Sequence, residues 1–211
     1  MTIVYLDYIV PGSILLPIAV LIPKLRDTPA YIKLLFYYLV ISALVNATCI
    51  IMARYNTPNL WMIHIQTTLE SLLLLWFFRY IIRNPVVLKV ILALMIGFPL
   101  FCVLNLLFIQ GIHNYPSYTR PFEALIFIAL SMFYWVQESE EDIHWAAIPA
   151  NWFVTGLLLY FSGAFFLFLF QNYLIKFVTN DVIYIVWYVH ATLVMLMYIL
   201  FAIGFQKCKK Q

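Results

Sequence analysis

One stretch, Pro58 to Tyr80 (PNLWMIHIQTTLESLLLLWFFRY), limits what this chain can become. It is long and apolar enough to cross a bilayer, yet His64, Gln66, Thr67, Thr68, Glu70 and Ser71 fall where the hydrocarbon would be. An unpaired polar group in hydrocarbon costs several kcal/mol, and an ionised one roughly 2.5 or more. A helix carrying this set belongs inside a bundle. At 100° per residue, Glu70, Gln66 and Thr67 share one side, with Ser71, His64 and Thr68 beside them. Only the arc through Ile65, Leu69, Leu72 and Leu73 is purely apolar.

The rest of the chain has the same character. Of 211 residues, 65% are hydrophobic and 10% charged, with mean hydropathy +0.96. A soluble domain runs nearer about 45–50% apolar and about 25% charged, so the composition describes an integral membrane protein. The net charge of +3 comes without a basic tract, which excludes nucleic acid as a partner and leaves the lipid bilayer as the first one. A span needs roughly 20 apolar residues. Seven stretches meet that length: 3–22, 30–52, 58–80, 85–109, 121–136, 149–177 and 182–205. The expected architecture is all-α, a single heptahelical transmembrane domain over 1–211. Thr28-Pro29, Thr57-Pro58 and Asn84-Pro85 each place a capping residue before a proline suited to the first helical position, and Pro121 and Pro149 open helices with poorer caps. Asn180 and Asp181 are expected to cap the seventh helix, and Pro11, Pro17 and Pro99 to bend the first and fourth.

Positive charge gives the orientation. With the amino terminus outside, the cytoplasmic ends collect Lys24, Arg26, Lys33, Arg79, Arg83, Lys89, Lys207, Lys209 and Lys210, against Arg54, Arg120 and Lys176 on the outer side. Nine against three predicts an external amino terminus and a cytoplasmic carboxyl terminus, in a plasma or inner membrane. The acidic run Glu138, Glu140, Glu141 and Asp142 then lies in a cytoplasmic loop, either simply solvated or a docking patch for a basic protein partner. The three cysteines form no disulfide framework or metal-ligand spacing. Cys49 and Cys102 read as packed apolar residues, and Cys208, next to the last span, as a site open to acylation.

Counting 1.5 Å per residue puts His64 about 9 Å and Glu70 about 18 Å below the outer end of the third span, and His190 roughly 13 Å down the seventh. Glu123 falls in the first turn of the fifth span, and Asn46 and Asn105 in the outer parts of the second and fourth. This one-sided distribution suggests an outward-facing polar pocket whose ligand-binding residues are Glu70, His190, His64, Gln66, Glu123 and Asn46. If a metal is held, its ligands would be Glu70, His190, His64 and Glu123, a chemically sensible zinc or iron set without a spacing motif; no cofactor is otherwise implied. Asn151, Thr155 and Ser162, with Gly163 beside them, form a stripe suited to helix packing. Tyr184, Trp187, Tyr188, Ala191 and Met195 form an aromatic one. Trp61-x-x-His64 recurs as Trp187-x-x-His190, which would fit a three-plus-one-plus-three repeat of spans.

Several heptahelical chemistries lack their residues here. The seventh span has no lysine for a retinal Schiff base and no Asn-Pro-x-x-Tyr, and Arg79-Tyr80 follows Phe78 rather than an aspartate. The expected function is therefore a receptor-like or sensory subunit that binds a small ligand or a proton and signals through a partner. Behind it stand a structural subunit, a small carrier and, last, an intramembrane metal enzyme.

Overall fold

The computed structural model describes residues 4–139 and 145–208, apart from the side chains of Asp7 and Asn180. Their regular secondary structure is all helical, with no strand among them. A first segment is helical in pieces: a π turn at Tyr5–Ile9, α1 (Val10–Ser13), α2 (Leu15–Leu21) and a 3-10 stretch at Ile22–Asp27. It is followed by α3 (Ala30–Arg54), α4 (Leu60–Ile81), α5 (Pro85–Leu104) with a π turn at Asn105–Ile109, α6 (Thr119–Glu138), α7 (Pro149–Phe177) and α8 (Asn180–Lys207). Five of these helical stretches are long and apolar enough to cross a membrane: Ala30–Arg54, Leu60–Ile81, Pro85–Ile109, Pro149–Phe177 and Asp181–Lys207. The acidic run from Glu140 to Asp142 lies outside the described residues, as do His144, Lys209 and Lys210.

Helix ends follow sequence chemistry only in part. Asn84 caps α5 as expected, its Oδ1 accepting from the backbone N–H of Val86 and Val87 at 2.9 and 3.2 Å. Thr28 and Thr57 do not cap the helices that follow them. Their hydroxyls donate backwards, to Leu25 O at 2.9 Å and Met52 O at 2.8 Å, because the carbonyls left open at the end of a helix compete for the same donor. α4 accordingly starts at Leu60, two residues past Pro58. α3 ends on Asn56, whose φ of 52° is left-handed. The N–H of Asn56 then reaches Ala53 O at 3.1 Å and that of Thr57 reaches Met52 O at 2.9 Å, a Schellman closure. Pro121 sits in the third position of α6, where its missing N–H is still no loss. Thr179, not Asn180, precedes α8, and Asp181 lies in its first turn, where the helix dipole favours an anion.

The contacts sort the chain into two compact units, one of Pro29–Glu123 and one of Met1–Thr28 with Ala124–Gln211. This grouping does not follow the division into spans one to three and five to seven. In the first unit α4 packs between α3 and α5. Its buried stripe is His64, Thr67, Glu70, Ser71, Leu74, Leu75, Phe77 and Phe78, the three- and four-residue spacing of one helix face. Ile65 and Leu69 are exposed on the opposite arc. α5 buries only a narrow seam, Ile91, Phe98 and Cys102, and exposes Val86, Val90, Ile96 and Leu100, as suits a helix with lipid on most sides.

In the second unit α7 and α8 share the most extensive contact, and α2 packs on α8. Small residues let α7 and α8 approach. Gly163 faces Leu193, Gly156 faces Phe201, and a Cβ on Gly204 would lie 2.5 Å from the Phe153 ring. Phe153, Phe201 and Phe205 are fully buried there and pack with centroids 4.9 to 6.4 Å apart. Cys208 closes the end of α8 with its thiol donating to Gly204 O at 3.4 Å. It is 5% exposed and burial pushes it up to about 11, so it is not presented for acylation as the sequence suggested. Gly204→Ala should force Phe153 off its rotamer and cost about 1–3 kcal/mol. Thermal unfolding of the detergent-solubilised protein would register the loss.

Candidate functional site

The site is built in the first unit, and it starts from how α4 disposes of its polar side chains. Thr67 and Thr68 donate to their own helix, at Ile63 O (2.8 Å) and His64 O (3.0 Å), and Ser71 donates to Thr68 O at 2.9 Å. These three satisfy themselves, as hydroxyls in an apolar helix can. A carboxylate has no proton to donate and cannot do the same. Glu70, 3% exposed, must find donors elsewhere.

It finds two. Tyr38 of α3 donates its hydroxyl to Oε1 at 3.1 Å, and Arg120 of α6 donates Nη1 to Oε2 at 2.9 Å. The same Nη1 donates to Oε2 of Glu123, one turn along α6, at 3.1 Å. Arg120 is 7% exposed and Glu123 is fully buried. Oε1 of Glu123 has no hydrogen-bond partner among the described residues. Two carboxylates therefore share one guanidinium, and if both are ionised the cluster carries one negative charge in excess.

The connection between α5 and α6 is folded to deliver Arg120 at this depth. Asn105 Nδ2 donates to Gln110 Oε1 at 3.1 Å, and Gln110 Nε2 donates to Ser117 Oγ at 2.9 Å. His64 Nε2 lies 3.0 Å from Asn114 O; since a carbonyl only accepts, the proton is on that ring nitrogen. Tyr115, Pro116 and Thr119 are buried behind it. Burial pushes the Tyr115 phenol up to about 12, with the carboxylates adding to the effect and Arg120 opposing it. Phe122 packs on Phe98 and Phe101 of α5 at 6.1 and 5.6 Å, which fixes the rotation of the first turn of α6.

The residues marked in the sequence are thus distributed unevenly. Glu70 and Glu123 come together through Arg120. His64 sits about 9 Å along α4 from Glu70 and holds the connection. Gln66 is half-buried on α4, and Asn46 is half-buried two turns beyond Tyr38 on α3. His190 belongs to the second unit, half-buried, its ring 5.7, 5.6 and 5.6 Å from those of Tyr160, Phe168 and Trp187. The two Trp-x-x-His motifs thus place their histidines in unlike surroundings. No group of three or more His, Cys, Asp or Glu side chains able to hold a metal occurs among the described residues, and between the two glutamates the cation is Arg120 itself.

Sequence reasoning missed Arg120, Tyr38 and Tyr115. In the sequence Arg120 reads as one of the charges at the outer ends of the spans; the available signal is its three-residue spacing from Glu123, together with the need of a buried Glu70 for a cation. Comparison with protein-family models, curated proteins and solved structures gives no match to this chain.

Arg120→Met should destabilise the protein by about 3–5 kcal/mol, since it strands two buried carboxylates, while adding Glu70→Gln and Glu123→Gln should recover most of the loss. Thermal unfolding of the single and triple variants measures both. Tyr115 gives a separate check. Its phenol holds its proton more tightly folded than unfolded, so the stability it contributes is complete below about pH 10 and is lost as pH rises toward 12. An unfolding series across that window should flatten in Tyr115→Phe.

Proposed function

We propose that this chain is an integral membrane, receptor-like sensory subunit in a plasma or inner membrane, whose buried polar centre responds to a small ligand or a proton and which acts through a partner protein. The observation that carries this reading is Arg120 held out of water between Glu70 of α4 and Glu123 of α6. In this reading the contact between the two helices has two arrangements, with and without the second carboxylate neutralised. A protonation or ligand event chooses between them.

The proposed architecture is one domain of seven spans with the amino terminus outside. The five long helices would be joined by α6, whose 20 residues reach about 30 Å, and by the first segment, helical from Tyr5 to Asp27 apart from a turn at Ile14. Burial of Arg120 supports the orientation, because it removes that residue from the outer loop charges and leaves Arg54 and Lys176 there. The proposed docking face is cytoplasmic and includes Glu138, Glu140, Glu141 and Asp142.

Other roles draw less support. A structural subunit would need Glu70 for a neighbouring chain, yet both its donors come from this one. A carrier needs polar groups that continue through the membrane. Asn151 accepts from Tyr134 at 2.6 Å and donates to Trp145 O, Thr155 donates to Asn151 O, and Ser162, exposed, donates to Leu158 O.

The test is native mass spectrometry of the chain released gently from its host membrane, wild type beside Glu70→Gln. The expected result is a stoichiometric protein partner whose occupancy differs between the two. A bare monomer in both, with substrate uptake in proteoliposomes, would overturn the proposal in favour of a carrier.

A further inference from the structure

The ligand of the buried centre follows from its charge. Glu70, Arg120 and Glu123 are 3%, 7% and 0% exposed, so water does little to offset an excess charge on them. An isolated ion buried in a medium of low polarity is costly enough that it takes up a proton or a counter-ion instead. The titratable and charged groups around the cluster are Tyr38 on α3, Glu70 and His64 on α4, Cys102 on α5, Tyr115 on the connection, and Arg120 and Glu123 on α6. Arg120 supplies the positive charge among those that touch the carboxylates. His64 is committed to Asn114 O through its protonated nitrogen.

The two carboxylates are not equivalent. Glu70 accepts on both oxygens, from Tyr38 and from Arg120. Glu123 accepts on one oxygen from a nitrogen it shares with Glu70, and its other oxygen is buried without a partner among the described residues. An anion is poorly served there and a neutral acid well served.

We propose that the Glu70, Arg120 and Glu123 cluster is a single-proton site: it binds one proton, carried by Glu123, and so makes hydrogen ion the ligand of the sensory unit. The inference rests on the sensory reading above. With the proton bound, Arg120 and ionised Glu70 form a neutral pair, reinforced by Tyr38. Release of the proton to water leaves two anions on one Nη1 and weakens the hold of α4 on the first turn of α6.

Infrared difference spectroscopy of the purified protein in phosphatidylcholine bilayers, between mildly acidic and alkaline pH, reads the proton directly. At neutral pH the wild type should show the carbonyl band of one buried protonated carboxyl. That band should shift in Glu123→Asp and vanish in Glu123→Gln. It should vanish in Glu70→Gln as well, where Arg120 and Glu123 balance. Glu123→Gln mimics the protonated state and should unfold within a few degrees of wild type; if it fails to fold, the shift in Glu123→Asp decides. A wild type without the band, a band that survives Glu123→Gln, or stability that requires sodium in place of the proton would overturn the proposal. Partner occupancy measured at the same two pH values separates the two claims. No band with a partner that still responds to Glu70→Gln sinks the proton alone. A band with a partner indifferent to pH and to Glu123→Gln sinks the sensory reading.

Discussion

Arg120 is a charge with nowhere to go but to another charge, and the first unit is arranged around that fact. A guanidinium buried to this extent in an apolar helix bundle must be met by anions, and anions so buried must be met by it. Meeting Glu70, about 15 Å along α4 from Leu60, requires α6 to begin well inside the unit rather than at its rim. The connection from α5 is therefore folded rather than loose. The π turn at Asn105–Ile109, the bonds joining Asn105, Gln110 and Ser117, and the link from His64 to Asn114 are the means by which nine residues bring the chain back down. Buried ion pairs contribute little net stability, but a misaligned one is very costly, so this one sets register.

Away from that cluster many serine and threonine hydroxyls follow a different rule, which is to bond within their own helix. Thr48, Thr67, Thr68, Thr155, Ser162 and Thr192 all donate to a carbonyl four residues back. Such a side chain behaves almost as an apolar one and costs nothing to place against lipid or a neighbouring helix. This is why counting polar residues in a span overstates its polar chemistry. Of the polar side chains on α4 in the Pro58 to Tyr80 stretch, Glu70 and His64 make bonds that leave the helix for another part of the unit.

The sequence shows the helices because their signal is long and redundant: twenty apolar residues between polar breaks are hard to misread, and α7 runs over the same residues, 149–177, that hydropathy marks out. The apolar arc of α4 is legible from spacing alone, and of its residues Ile65 and Leu69 are exposed while Leu72 and Leu73 are half-buried. Helix ends were less so. Thr28 and Thr57 stand where caps belong, and what decides their partner is the competing carbonyl behind them, which no spacing rule reveals. The site was half legible. Glu70 and Glu123 stand out as acids in apolar surroundings, but Tyr38 looks like any interfacial tyrosine and Arg120 like any loop charge. Their roles depend on a chain reversal across residues 110–118 that brings side chains fifty positions apart into contact.

The two units differ in the contacts that hold them, and under the proposed function that difference says where a response belongs. Phe153, Phe201 and Phe205, and the close approach allowed by Gly156, Gly163 and Gly204, hold α7 to α8 by shape. Even His190 is packed there among three aromatic rings. Contacts of that kind are indifferent to pH and to ions, and they fail only when the packing is spoiled. The first unit adds to its apolar packing a cluster of buried charged groups, the kind of contact that a proton or an ion can alter. A chain built to sense would put its rigid part in the first kind of packing and its sensitive part in the second. The residues around Glu70 are where this one departs from the economy of an ordinary apolar bundle.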